Sequence, residues 1–138
     1  MKYDYFISSR WRNRDQVLDL VSKLRRKGKK VFCFMEGKQG FDPNEDPEKV
    51  MKSFESIPDW RNNKTIKRIF KIDLQGLKDS MAVIVLLPGG KSTHLEAGIA
   101  YGLNKKLILI GEQKETESLY LIFKEVFPSV PSFLKTVR

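Results

Sequence analysis

The feature that most restricts what this chain can fold into is Met81-Ala82-Val83-Ile84-Val85-Leu86-Leu87, seven apolar residues in succession closed by Pro88-Gly89-Gly90. A strand that is apolar on both faces must be covered on both, as a central strand of a parallel sheet is when helices lie on each side. The flanking segments fit that demand. Lys2 to Ser8 reads as a first strand. Arg14 to Lys27 carries Val17, Leu18, Val21 and Leu24 at helical spacing, Gly28 stops it, and Lys30 to Met35 reads as a second strand. Residues 36–63 are irregular, broken by Gly37, Gly40, Pro43, Pro47 and Pro58, with at most a short helix from Glu48 to Ser56. A helical stripe of Ile66, Ile69, Phe70 and Leu77 returns between Thr65 and Lys78. After the apolar run a helix is expected from about Thr93 to Leu103, a strand at Leu107 to Ile110 and a helix from Ser118 to Phe127; the tail from Pro128 stays open.

This alternation predicts an α/β fold: a flavodoxin- or Rossmann-like doubly wound parallel sheet of about five strands, with residues 1–138 forming a single domain. Ligands in such folds sit beyond the carboxyl ends of the strands, where residues 7–14, 36–45 and 88–96 should meet. The insertion at 36–63 belongs near that site.

Composition narrows the function classes. One cysteine, Cys33, excludes an intrachain disulfide, and its apolar neighbours predict a buried, inert thiol. No stretch approaches the ~20 apolar residues of a membrane helix, and the opening MKYDYF lacks the apolar segment of a secretion signal. A cytoplasmic protein without membrane contact is the expectation. The net charge of +9 favours anionic partners. The densest basic block, Lys23 to Lys30, ends a helix, where cations complement the dipole, and it lacks the interleaved aromatics of a strand-binding surface. That argues against nucleic acid and for a small phosphorylated ligand.

The stretch that carries chemistry is Leu87-Pro88-Gly89-Gly90-Lys91-Ser92-Thr93-His94-Leu95-Glu96-Ala97-Gly98. A strand passes through glycines straight into a helix, whose first N–H groups form a natural anion site. Lys91, Ser92 and Thr93 would add a cation and hydroxyls around a phosphate. Glu96 sits one turn into that helix. Thr93-His94-Leu95-Glu96 also matches a capping box, in which the glutamate would only satisfy backbone N–H groups. Asp73 tilts the balance toward chemistry, because it falls in the core-facing series 66, 70, 73, 77, and a carboxylate there must be paired or functional, although Gly76 leaves an outward bend of its helix open. Two carboxylates at one cleft suit glycosidic cleavage: one attacks the anomeric carbon and the other manages the leaving group's proton. A single histidine, His94, and the lack of any cluster with ligand spacing imply neither metal nor cofactor. His94 reads as a helix-start residue or phosphate contact. Trp11 and Trp60 lie in loops and are open to either packing or stacking on a base.

These residues resemble the nucleoside 2-deoxyribosyltransferase family, particularly its 2'-deoxynucleoside 5'-phosphate N-hydrolase branch, over nearly the whole chain. Tyr5-Phe6-Ile7-Ser8-Ser9-Arg10 resembles the branch's Tyr-Phe-x-Gly-Ser-x-Arg segment, and Glu96-Ala97-Gly98-Ile99-Ala100 its Glu-x-Gly-x-Ala segment. The resemblance implies that Glu96 is the nucleophile, that Asp73 assists at the leaving base, and that Tyr5 positions sugar and glutamate. It further implies that Ser8, Ser9 and Arg10 line the pocket with Gly89, Gly90, Lys91, Ser92, Thr93 and His94. The substrate would be a nucleoside or nucleotide, and the protein a homodimer or higher homo-oligomer. Two departures stand out. Ser8 replaces a glycine, and Pro88-Gly89-Gly90-Lys91-Ser92-Thr93 is closer to the Pro-Gly-Gly-x-Gly-Thr loop of cytokinin-activating phosphoribohydrolases. Tyr3-Asp4-Tyr5-Phe6-Ile7-Ser8 also resembles the opening of TIR domains, some of which hydrolyse NAD. A nucleotide-binding module without turnover is the remaining alternative.

Overall fold

The computed structural model of the chain describes residues 1–36 and 44–138. Its five strands are β1 (Tyr3–Ser8), β2 (Val31–Phe32), β3 (Ser80–Leu86), β4 (Lys106–Ile110) and β5 (Glu125–Phe127). The helices are α1 (Arg14–Arg26), α2 (Pro47–Glu55), α3 (Lys64–Lys78), α4 (Lys91–Gly102) and α5 (Val130–Leu134). All neighbouring strands run parallel in the order β2-β1-β3-β4-β5, the flavodoxin-like arrangement.

The apolar run forms β3 at the centre of the sheet. Its alternate residues serve opposite layers, which explains why it has no polar face. Ala82, Ile84 and Leu86 join Val17, Leu20, Val21 and Leu24 of α1 and Phe133 of α5. Val83 and Val85 join Leu77 of α3 and Ala97 and Ala100 of α4 on the other side. Gly76 lets α3 come down onto the sheet, since a Cβ there would stand 2.7 Å from the Phe32 ring. Cys33 is buried, and burial pushes its thiol up to about 11, so it stays protonated.

Several expected elements differ. The second strand is only Val31–Phe32, because Phe34–Glu36 turns as a 3-10 helix and carries Met35 into the core. The expected helix from Ser118 to Phe127 is a 3-10 helix, Ser118–Ile122, followed by β5. The outer edge of β4 needs a hydrogen-bonding partner, and Glu125, Val126 and Phe127 supply it opposite Ile108, Leu109 and Ile110. The tail resolves into α5, capped by Ser129. The inward stripe of α3 also shifts: Phe70 is 62% exposed, while Ile69, Asp73 and Leu77 turn inward. Residues 37–43, most of the loop segment expected at the strand ends, lie outside the described residues.

Candidate active site

In the strand order 2-1-3-4-5 the chain winds away from β1 and β3 in opposite directions, and a crevice opens between their carboxyl ends. A cavity of about 500 Å³ occupies it. Its floor and one wall come from Ser9 and Arg10 after β1, from residues 89–93 and Glu96 at the start of α4, and from Asp73 of α3.

Helix α4 begins earlier than its sequence suggests, at Lys91, with Gly90 as the N-cap. Gly89 is required there, since a Cβ would lie 2.8 Å from Cγ2 of the fully buried Thr93. The Thr93 hydroxyl accepts the Gly90 N–H at 3.1 Å and so closes the first turn. Glu96 is therefore released from the capping role. Its side chain is 9% exposed and turns to the crevice, where Ser8 Oγ donates to Oε1 at 2.6 Å and the Asp73 carboxyl shares a hydrogen bond with it.

Burial raises both carboxyls above their usual range, Glu96 well above it, because Glu96 is the deeper and faces the charge of Asp73. The Ser8 hydroxyl pulls Glu96 in the opposite direction. Two hydrogen-bonded carboxyls in low dielectric hold one proton between them, so the site presents one carboxylate and one acid. Asp73 Oδ1 is buried and has no hydrogen-bond partner among the described residues.

The structure brings together Glu96, Asp73, Ser9, Arg10 and the Gly89–Thr93 turn, and sets three expected residues apart. Ser8 is 1% exposed and lies behind Glu96, not on the cavity wall. His94 faces the other side of the glycine turn. Its Nδ1 contacts the Gly90 carbonyl at 2.8 Å, so that nitrogen carries a proton, and Nε2 meets the Tyr120 hydroxyl at 2.6 Å. Tyr5 begins three residues before Ser8, about 10 Å back along the strand. Its ring packs edge-on against Phe133 among the core residues on the α1 side of the sheet. It does not reach the cavity.

Of the opposite wall, sequence reasoning named only Trp11, open between packing and stacking on a base; it stands there with Phe34 and with Val50, Met51 and Phe54 from α2. The signal was available: α2 shows Val50, Met51 and Phe54 on one helical face in a segment otherwise charged. Arg12 ties this wall down through ion pairs with Glu48 and Glu55 of α2. The second tryptophan, Trp60, is exposed, carries the Arg61 guanidinium over its ring at 4.4 Å and lies outside the cavity.

The arrangement is a buried carboxyl pair facing an apolar slot, with a helix N-terminus, Arg10 and Lys91 at one end. Among the described residues no cluster could hold a metal ion, and no helix is long and apolar enough to cross a membrane. No family model matches the chain, and no curated protein matches it in sequence. Two solved structures share its fold over nearly its whole length. The 2-deoxyribosyltransferase of the psychrotolerant bacterium Bacillus psychrosaccharolyticus superposes with a TM-score of 0.63 at 17% identity, covering 95% of this chain and 90% of that one. The CMP N-glycosidase of Clostridium botulinum superposes with a TM-score of 0.57 at 18% identity, covering 96% of each chain. At these identities the likeness establishes the fold.

Proposed function

We propose that this chain cleaves the N-glycosidic bond of a nucleoside or nucleotide, as a member of the nucleoside 2-deoxyribosyltransferase-like group. The observation that carries the reading is the hydrogen-bonded pair Glu96–Asp73 at the floor of a crevice with an apolar wall. Similarity of fold to a deoxyribosyltransferase and to a CMP N-glycosidase supports it.

In this reading the base lies against Trp11, Phe34 and the apolar face of α2, and the sugar rests over the carboxyls. Glu96 as the anion attacks C1', and the C1'–N bond breaks with its electron pair passing to the base. Asp73 delivers the shared proton to that nitrogen. Water, or a second base, then displaces Glu96 from C1' and returns a proton to Asp73, so the configuration at C1' is retained. A 5'-phosphate fits the N–H groups of the first turn of α4, which no helical carbonyl can accept, with Arg10 and Lys91 beside them. The protein is further read as a homo-oligomer. Phe70 of α3 and Leu95 and Ile99 of α4, the last two one turn apart, are exposed on two helices that pack together.

The test is chromatography of base release from nucleosides, ribo- and deoxynucleoside 5'-monophosphates and NAD, with Glu96→Ala beside the wild type. Release from monophosphates that disappears in the variant is the expected result and identifies the sugar. Cleavage of NAD alone would move the protein to the TIR-like class. Absence of release from every substrate, with an equally folded variant, would leave a binding module. Sedimentation of wild type and Leu95→Glu checks the oligomer, which the added charge should dissociate.

A further inference from the structure

The proposed chemistry requires the shared proton to sit on Asp73 while Glu96 is the anion, yet Glu96 is the more deeply buried of the two. Burial alone would place the proton on Glu96. One contact opposes that preference, and the two carboxyls differ in it. Glu96 Oε1 receives a hydroxyl hydrogen bond at 2.6 Å from Ser8. No hydroxyl among the described residues donates to Asp73 Oδ1, and Glu96 is the group that shares a hydrogen bond with its carboxyl. A hydrogen bond donated to a carboxylate stabilises the charged form, so Ser8 works against burial and the Asp73 charge and draws Glu96 toward the anion.

We propose that Ser8 is a positioning residue that, by donating to Glu96 Oε1, draws the shared proton off Glu96 toward Asp73 and so helps Glu96 reach the attacking anion. The proposal rests on the reading of Glu96 as nucleophile. The Ser8 backbone is held between its strand partners, with Val85 opposite it on β3, and the side chain is sealed from solvent. Its hydroxyl has one proton and two acceptors within reach, Glu96 Oε1 and, at 3.4 Å, the Thr93 carbonyl. When Glu96 holds the proton, Ser8 can turn its own toward Thr93, so neither state strands a donor. The substrate never touches Ser8, because the residue stands behind Glu96 and off the cavity wall. Among the described residues the other ionisable groups around the cavity are Arg10, Arg12, Glu55 and Lys91, and none of them bonds to Glu96.

The experiment compares wild type with Ser8→Ala and Ser8→Cys, which remove the oxygen donor, and with Ser8→Thr, which keeps it. The titration of Glu96 is followed by NMR in protein carrying ¹³C at the glutamate carboxyls, with Glu96→Gln assigning the signal. In parallel, kcat and KM are measured across pH on the substrate identified above. Loss of the donor should raise the Glu96 titration, and with it the acid limb of kcat, by about one pH unit or more. Below that limb kcat should fall roughly tenfold, with KM changing less than about threefold, and Ser8→Thr should keep the wild-type limb. A purely structural serine would lower the melting temperature and leave both titrations in place. A folded Ser8→Ala or Ser8→Cys variant with an unmoved Glu96 titration overturns the proposal. If the wild type releases base and these variants keep its pH profile, the glycosidase reading stands and Ser8 loses its role. If the wild type releases no base from any substrate, the glycosidase reading falls, and the NMR titration alone decides what the hydroxyl does to Glu96.

Discussion

Two hollows flank the same Pro88–Gly90 turn, and they are built to opposite ends. On one side lies the crevice of Glu96 and Asp73, about 500 Å³, where two buried carboxyls share a hydrogen bond and burial makes their charge costly. On the other lies an open hollow of about 410 Å³ lined by His94, Tyr120, Glu112 and Glu117. There the imidazole is satisfied: Gly90 holds one nitrogen and Tyr120 the other, and Tyr120 in turn stacks edge-on against Phe123. Both sides draw on helix α4, and its periodicity assigns them. His94 and Glu96 are two residues apart, so they point to different flanks of one helix. The contrast teaches that a titratable side chain announces chemistry when its bonding is incomplete and its charge is costly. A fully bonded one announces architecture.

The sharpest way to break this comparison is to neutralise the crevice. Glu96→Gln should cost roughly 10³-fold or more in base release, with the fold intact. The same variant tests the cost of the buried charge through pH. Because the folded state raises the Glu96 pKa above its ordinary value of 4.5, its contribution to stability is complete below that value. It is lost as pH rises toward the folded value, where the unfolded chain ionises and the folded chain does not. The melting temperature of Glu96→Gln should therefore gain on the wild type as pH climbs from about 4.5 to neutrality. A constant difference across that range would mean that the carboxyl is not perturbed.

Asp73→Asn should come next, with a loss of about 10²- to 10⁴-fold that is smaller for substrates whose bases leave easily, measured as kcat on good and poor leaving groups. A uniform loss would deny Asp73 the acid role. The turn between the hollows gives a structural prediction. In Gly89→Ala the new Cβ meets the buried Thr93, and overpacking should cost roughly 1–3 kcal/mol in chemical denaturation. Gly90→Ala, whose nearest neighbour would be Arg10 Cβ at 3.5 Å, should be close to neutral. The smallest effect is expected on the far side, where Tyr120→Phe should cost about 0.5–1.5 kcal/mol in stability for the lost hydrogen bond. It should leave kcat and KM close to the wild type. A large loss of activity there would erase the distinction between the two hollows.

Much of this was readable along the chain, and the reason is that most of it is local. Periodicity placed α1, α3 and β3, because a helix or a doubly covered strand imposes its period on its own residues. Glu96 was legible from a strand end, a glycine turn and a helix start within ten residues. Asp73 was legible as a charge in an apolar stripe. The segment after Ser118 was not. Its apolar residues suit a helix or a strand equally, and only the bare edge of β4 selected the strand. The α2 wall was missed because its apolar face acquires meaning only opposite Trp11 and Phe34, which are distant in sequence.

What the chain determined by itself, then, was the order of its elements as far as β4, the doubly covered central strand and two carboxyls placed where the fold can bring them together. What only the tertiary structure decided was who faces whom. It placed Ser8 behind Glu96 across 88 residues of sequence, left Asp73 Oδ1 without a partner among the described residues, and turned Tyr5 and His94 away. Hydrogen bonds and desolvation act over a few ångströms of space, and no local pattern records which distant residues will share that space.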